Sequence, residues 1–164
     1  DGGCVVTGYI HGSTVFGAGE PNETTLTTPG DGAGSFWVNP YVARYNLDGS
    51  LDTSFGAGIG WVITDFEVHN DFGYDIVVQR EGKIVVAGQT WWEADYQLSD
   101  LALARYNPDG SLDTSFGGDG SLSIPIGSDS SRPYGATLQA DGKIVAVGYG
   151  QGTGQNVALL RVWP

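Results

Sequence analysis

The amino-acid sequence predicts an all-β fold of tandem four-stranded antiparallel blades of the β-propeller type, with about two and a half blades in this chain. The first observation is a long internal repeat, because residues 43–56 return at 104–117 with one change in fourteen. The second is a shorter repeat of similar period, because residues 81–88 return in closely similar form at 141–148. The third is composition: 27 Gly, eight Tyr and five Trp in 164 residues are typical of short strands joined by tight turns.

A period of about sixty residues indicates units that cannot bury their own apolar surface and must stack on neighbours. We therefore divide the chain into a half blade over residues 1–45, with a long loop insertion at about 10–35, and two complete repeats over 46–107 and 108–164. Propeller rings close with about four to eight blades. We expect further blades of the same polypeptide, or other copies of this chain, to complete the ring. Because the sequence begins with Asp1 rather than Met, we also expect it to be a processed or excised portion of something longer.

Each complete repeat is expected to contain four strands. They run over 61–67, 75–80, 83–89 and 101–107 in the first repeat, and over 121–126, 135–140, 143–149 and 157–163 in the second. Glu81-Gly82 and Asp141-Gly142 are typical two-residue hairpin turns, so the second and third strands should lie side by side. The boundary between blades is then expected in the loop Asn-x-Asp-Gly-Ser-Leu-Asp-Thr-Ser-Phe-Gly, which we call the repeated loop (residues 46–56 and 107–117).

The spacing of apolar residues predicts which strands are covered. Residues 84–87 and 101–106 are largely apolar at odd and even positions alike, so both faces of these strands are apolar. This is expected of sheets with a neighbouring blade on each face. Over residues 121–126, Leu and Ile alternate with Ser and with Pro125, which is typical of an edge strand. The strand that follows Gly3 should leave an exposed edge unless other polypeptide covers it, while its single Cys4 is expected to be a core residue.

The motifs Ala-Arg-Tyr-Asn-x-Asp-Gly-Ser-Leu-Asp-Thr-Ser-Phe-Gly and Asp-Gly-Lys-Ile-Val-x-x-Gly, taken together, resemble those of the delta-60 repeat proteins, a family of predicted β-propellers. The resemblance covers nearly all of the chain except residues 9–35. One departure is Gly3, which stands where the other copies have Lys83 and Lys143. Membership would imply large exported or surface proteins of bacteria, without a common activity. We therefore expect a non-enzymatic extracellular structural or adhesive module that assembles with further blades or with itself.

Charge and residue types limit the classes of partner. The net charge is −12 with only seven Lys and Arg, so nucleic acid is not expected as a partner. No apolar run approaches the roughly 20 residues that a membrane-spanning helix needs. An acidic surface poor in Lys suits an extracellular or cell-surface location. One Cys excludes an internal disulfide, and with only two His we expect no zinc site built from Cys and His.

The aspartates of the repeated loop allow two interpretations. On the helix–loop–helix calcium template with Gly49 at the sixth position, Arg44 becomes the first ligand and Phe55 the last, which excludes the standard calcium loop. The first interpretation is a structural turn, in which the arginine before each loop pairs with its aspartates or carbonyls. The second is calcium, the one cofactor that the sequence suggests. Its ligands would be Asp48 and Asp52 in one loop and Asp109 and Asp113 in the other.

Two loops are candidates for contact with glycans. Aromatic faces beside carboxylates suit a sugar, because the ring stacks on its C–H face while the carboxylate accepts hydroxyl hydrogen bonds. Packing between blades is the alternative role of such tryptophans. The candidate ligand-binding residues are Trp91, Trp92, Glu93, Asp95 and Tyr96. In the long insertion, Asn22 begins an Asn-Glu-Thr glycosylation sequon.

Catalytic chemistry is poorly represented. His11 has no partnered nucleophile at a recognisable spacing, and no pair among the 19 acidic residues stands out for glycoside hydrolysis. We therefore expect no enzyme activity. A glycan-binding propeller is the alternative function, and a carboxylate-dependent hydrolase is a third and weaker one.

Overall fold

The computed structural model describes residues 3–16, 18–19, 23–28, 37–66, 70–91, 98–126, 130–151 and 155–163. Within these ranges the protein is built of strands, with one short 3-10 turn at Gly56–Gly58. No helix in them is long and apolar enough to cross a membrane. The strands are β1 (Cys4–His11), β2 (Ser13–Phe16), β3 (Thr24–Thr27), β4 (Val38–Tyr45), β5 (Trp61–Ile63), β6 (Asp71–Val78), β7 (Ile84–Trp91), β8 (Ser99–Tyr106), β9 (Ser121–Ile124), β10 (Ser131–Leu138), β11 (Ile144–Gln151) and β12 (Gln155–Val162).

The strands form three open antiparallel sheets, which we call blades 1, 2 and 3, and one separate hairpin. Blade 1 has the order β1-β4-β5, blade 2 the order β6-β7-β8-β9 and blade 3 the order β10-β11-β12, while β2 pairs with β3. All eight strands predicted for the two repeats are present. The predicted fold class is confirmed, because three, four and three strands amount to about two and a half four-stranded blades in the described part of the chain.

The first strand of each repeat pairs with the last strand of the repeat before it. β5 pairs with β4, and β9 pairs with β8. The predicted position of the blade boundary is therefore wrong: the repeated loop joins two neighbouring strands of one sheet. The chain instead changes blade between β5 and β6 and between β9 and β10. A period alone reports the spacing of units and not where each sheet begins, so the ranges 46–107 and 108–164 mark the sequence repeat, offset by one strand from the sheets.

The predicted hairpins between β6 and β7 and between β10 and β11 are present. In the first, the Gln79 N–H donates to the Lys83 carbonyl and Gly82 has a φ of +81°. β6 and β10 each carry a bulge opposite a glycine of the partner strand. A Cβ at Gly88 would lie 2.1 Å from the Phe72 carbonyl oxygen, and a Cβ at Gly148 equally close to that of Arg132. These two positions therefore require glycine.

Two apolar layers hold the blades together, one on each face of blade 2. The layer toward blade 1 contains Val42, Phe55, Ile84, Val86, Ala104 and Tyr106. The layer toward blade 3 contains Val85, Ala87, Leu101, Leu103, Phe116, Ile144 and Ala146. Blade 2 is thus covered on both faces, as the apolar runs predicted.

The edges of the sheets agree only partly with expectation. β9 is an edge strand, and β1 is the exposed edge of blade 1, both as predicted. Cys4 is exposed at that edge, so its prediction as a core residue is wrong. The apolar neighbours of Cys4 suggested burial, but burial of this strand needs a sheet neighbour that the described residues do not provide.

Candidate interaction site

In blade 2 a single aspartate, Asp113, fixes the repeated loop to the sheet. Its Oδ1 accepts hydrogen bonds from the backbone N–H of Ser115 at 3.2 Å and from the hydroxyl of Ser115 at 2.7 Å. Its Oδ2 accepts from Lys83 Nζ at 2.6 Å and from Arg105 Nε at 2.7 Å. The Arg105 guanidinium also lies 4.7 Å from the centroid of the Phe116 ring. The bonds from Lys83 and Ser115 hold the pKa of Asp113 well below its usual range.

Blade 1 has the same arrangement without the lysine. Asp52 Oδ2 accepts from Arg44 Nε at 2.8 Å, and the guanidinium lies 4.9 Å from the centroid of the Phe55 ring. Gly3 stands where the lysine would be, and a Cβ there would lie 2.4 Å from the Tyr45 carbonyl oxygen. The Arg–Asp pair is more open, with side chains 21% and 25% exposed against 6% and 8% in blade 2. The lysine thus distinguishes a closed cluster from a partly solvated one.

Blade 3 has the two cations, and no described aspartate of a repeated loop lies beside them. Lys143 and Arg161 occupy the positions of Lys83 and Arg105 in the repeat. Lys143 pairs instead with Asp141 of its own turn and lies 3.8 Å from the centroid of the Trp163 ring. Arg161 is exposed and makes no ion pair with any described residue. Among the described residues there is thus one complete cluster in blade 2, one in blade 1 with Gly3 in place of the lysine, and a pair of cations in blade 3 beside which no repeated loop is described.

The repeated loops of blades 1 and 2 contact one another. The Gly56 N–H donates to the Asp109 carbonyl at 2.8 Å, and Arg44 donates to the carbonyl of Pro108. Gly110 has a φ of +89°, and a Cβ there would lie 2.8 Å from the Gly56 nitrogen. The loop of blade 2 therefore packs on the loop of blade 1, and this contact requires glycine at the point of closest approach.

Blade 3 exposes an apolar face, whereas the equivalent face of blade 2 is buried against blade 3. Leu103 in β8 is fully buried, and Leu159, its equivalent in β12, is 72% exposed. Val157 is 84% exposed, while its equivalent Leu101 is buried. β12 is the last strand of its sheet, with no described strand beyond it. Blade 3 therefore has both an open strand edge and an open apolar face.

A row of aromatic rings, joined at one point by the guanidinium of Arg132, runs across strands β1, β6, β10 and β11 of the three blades. The ring of Tyr9 lies 4.9 Å from that of Phe72, which stacks on Tyr74 at 6.1 Å between centroids. The guanidinium of Arg132 lies 4.5 Å from the centroid of the Tyr74 ring and 5.9 Å from that of Tyr134. Burial raises the pKa of Tyr74 to about 12. We call these residues, with Tyr149 beside Tyr134, the aromatic strip.

A protein-family model described as a domain of unknown function (DUF5122) beta-propeller matches residues 32–55, 79–116 and 139–164. These segments make up more than half of the sequence and include all but the last residue of each repeated loop and the turns of the two predicted hairpins. The chain belongs to this β-propeller family. No curated protein and no solved structure matches the chain. The predicted membership of a propeller repeat family is thereby confirmed.

The four aspartates predicted as calcium ligands form turns in this propeller. Oδ1 of Asp48 accepts from the backbone and hydroxyl of Ser50 at 3.0 and 2.6 Å, and Asp109 does the same with Ser111 at 2.9 and 2.6 Å. These bonds lower the pKa of both carboxyls. No three His, Cys, Asp or Glu side chains of the described residues form a group that could hold a metal ion. The geometry matches the predicted structural turn, and calcium binding stays a prediction.

The predicted glycan-binding loop falls mostly outside the described residues. Trp91 ends β7, where its N–H donates to the Asn70 carbonyl at 3.0 Å and its side chain is partly buried. The other predicted contacts lie outside, namely Trp92, Glu93, Asp95 and Tyr96, as does the glycosylation candidate Asn22. Sequence reasoning missed the aromatic strip. The recurrence of Tyr74 as Tyr134, sixty positions later, was the signal that could have identified it.

Proposed function

We propose that this chain is a non-enzymatic structural and adhesive module of an extracellular or cell-surface protein, which joins its open blades to further blades or to copies of itself. The observation that carries the proposal is the apolar face of blade 3. Leu159 and Val157 are exposed there, at positions whose equivalents in blade 2 are buried by the next blade. A propeller face of this kind is stabilised by a neighbouring blade.

The energetics favour association. Complete burial of an apolar side chain of this size contributes about 1.5–3 kcal/mol, so covering two of them offsets part of the entropy lost on binding. The edges of β1 and β12 are paired with no further described strand, so a strand that binds either edge adds backbone hydrogen bonds. The net charge of −12 opposes self-association through repulsion between like-charged copies. Association between copies should therefore strengthen as salt screens that repulsion.

Sedimentation velocity over a range of concentration and salt tests this proposal. We expect assembly that grows with both variables, and we expect Leu159→Ser to weaken it. Val78→Ser is the matched control, because Val78 is 51% exposed on blade 2, which lies between the other two blades and away from the open face of blade 3. A wild-type chain that stays monomeric at its highest soluble concentration and binds no further blade would contradict the proposal.

Glycan binding is a second candidate function, and the aromatic strip favours it. Tyr134 and Tyr9 are 65% and 51% exposed, and Arg132 lies against the ring of Tyr134. An exposed ring offers a stacking surface to the C–H face of a sugar, and a guanidinium donates hydrogen bonds to its hydroxyls. A glycan array should then give binding that is lost in Tyr134→Ala and kept in Leu47→Ser. An array without any bound glycan would rule out this candidate.

A further inference from the structure

We infer that the open edge of β12 is a receptor for one kind of partner, a repeated-loop and strand segment from a further blade. In this arrangement Arg161 and Lys143 recognise the second aspartate of the incoming loop. The inference rests on the proposed function and deepens it, because it names the chemistry that the partner must carry: Asp-Thr-Ser-Phe-Gly followed by an apolar strand.

Two filled versions of this receptor are present in the same chain. On β4 the Arg44 N–H donates to the Gly60 carbonyl at 2.9 Å, and on β8 the Arg105 N–H donates to the Gly120 carbonyl at 2.9 Å. In each case the arginine side chain binds the aspartate of the loop that leads to the covering strand. One arginine therefore holds the incoming segment by both its backbone and its side chain.

The strand register of blade 3 repeats that of blade 2. Val145 pairs with Arg161 across β11 and β12, as Val85 pairs with Arg105 across β7 and β8. Residues 157–160 thus take the place of residues 101–104, which pair with β9 in blade 2. The register that directs the Arg105 N–H to the covering strand is reproduced at Arg161, on an edge that no described strand covers.

The charges at this edge suit an incoming aspartate. In blade 2 a lysine and an arginine share one carboxylate oxygen, and blade 3 carries the same two cations with no acidic loop among the described residues beside them. Lys143 is held by Asp141, whose side chain is 50% exposed, in a pair of a kind that contributes little to stability. An aspartate bound by two charge-assisted donors can therefore displace the Asp141 contact.

The occupant is a further repeat rather than a second copy of the described chain. Both repeated loops of this chain are already engaged, since Asp52 binds Arg44 and Asp113 binds Arg105 within their own blades. A second copy would have to open one of its own clusters to donate a segment. A further repeat with an unpaired loop and strand has no such penalty.

A synthetic peptide with the sequence of residues 107–124 is the probe, because this segment fills the equivalent receptor of blade 2. Its binding to the full chain is measured by calorimetry. We expect binding that weakens about tenfold or more when the peptide carries Asp113→Asn or when the chain carries Arg161→Gln, since each change removes charge-assisted hydrogen bonds. Arg80→Gln is the matched chain control, because Arg80 is exposed on the β6–β7 turn and should leave binding unchanged.

A covalent version removes the entropic penalty of binding a free peptide. The same segment replaces Trp163 and Pro164, so that it follows β12 directly, and unfolding in urea is compared with a fusion carrying the Asp113→Asn change. The intact fusion should be the more stable of the two. Absence of both peptide binding and this stability difference overturns the inference. If the wild-type chain still self-associates in that case, the inference fails while the proposed function stands.

Discussion

Replacing Asp113 by Asn should destabilise the protein far more than the equivalent replacement of Asp52. Both aspartates accept a serine hydroxyl and backbone N–H on Oδ1, and an asparagine oxygen can keep those bonds. They differ at Oδ2, where Asp113 meets Arg105 and Lys83 while Asp52 meets Arg44 alone. The pair of substitutions therefore isolates the charged half of the cluster within a single chain.

The expected size follows from the burial of each pair. Arg105 and Asp113 are 6% and 8% exposed, and loss of one partner leaves the other charge buried without compensation. Such losses cost about 3–5 kcal/mol, and we expect about 3 kcal/mol here because Lys83 keeps contact with water and can reorient. The Arg44–Asp52 pair is screened by solvent, since both side chains retain a fifth or more of their surface, so its loss should be clearly smaller.

Urea unfolding followed by circular dichroism measures the difference. With a slope of about 1–3 kcal/mol per molar urea, a loss of about 3 kcal/mol lowers the midpoint by about 1–3 M. Lys83→Gln should fall between the two aspartate variants, because Asp113 keeps its arginine. Equal midpoints for Asp113→Asn and Asp52→Asn would refute the argument that burial and the lysine distinguish the two clusters.

Three further predictions use the same internal comparison. The stability advantage of wild type over Asp113→Asn should be complete above about pH 5 and shrink as the pH falls below about 4, because the folded-state pKa of Asp113 is lowered; pH-dependent urea midpoints check this. Gly110→Ala should lower the melting temperature more than Gly49→Ala, since both have positive φ but only Gly110 contacts the preceding loop. Leu103→Ala should cost about 2–5 kcal/mol in urea unfolding, and Leu159→Ala should have little effect.

Much of the architecture could be predicted from the sequence because the repeat is nearly identical. The period of the repeat predicts the number of blades, and the Glu81-Gly82 and Asp141-Gly142 turns predict the hairpins. Apolar residues at both odd and even positions of a strand predict which strands are covered on both faces. The blade boundary could not be derived, because a repeat has the same period wherever it is cut. The pairings of β5 with β4 and of β9 with β8 show that the repeated loop stays within one sheet. Cys4 was misassigned for a related reason, since burial depends on whether a neighbouring strand is present.

The site was only partly predictable. The pairing of Arg44 and Arg105 with the loop aspartates followed from their equivalent places in the repeat. The role of Lys83 did not, because a hairpin lysine thirty residues before Asp113 has no local signature. The aromatic strip joins residues from three blades, and its contacts depend on how the blades pack.

Amide hydrogen exchange at three equivalent arginines, Arg44, Arg105 and Arg161, tests the central claim most directly. The claim is that blades 1 and 2 are closed by their own covering strands and that the edge of blade 3 is open. In the dilute chain we expect slow exchange at the Arg44 and Arg105 N–H groups and fast exchange at Arg161, which becomes slow when the 107–124 peptide is added. Slow exchange at Arg161 in the dilute chain alone would contradict the account.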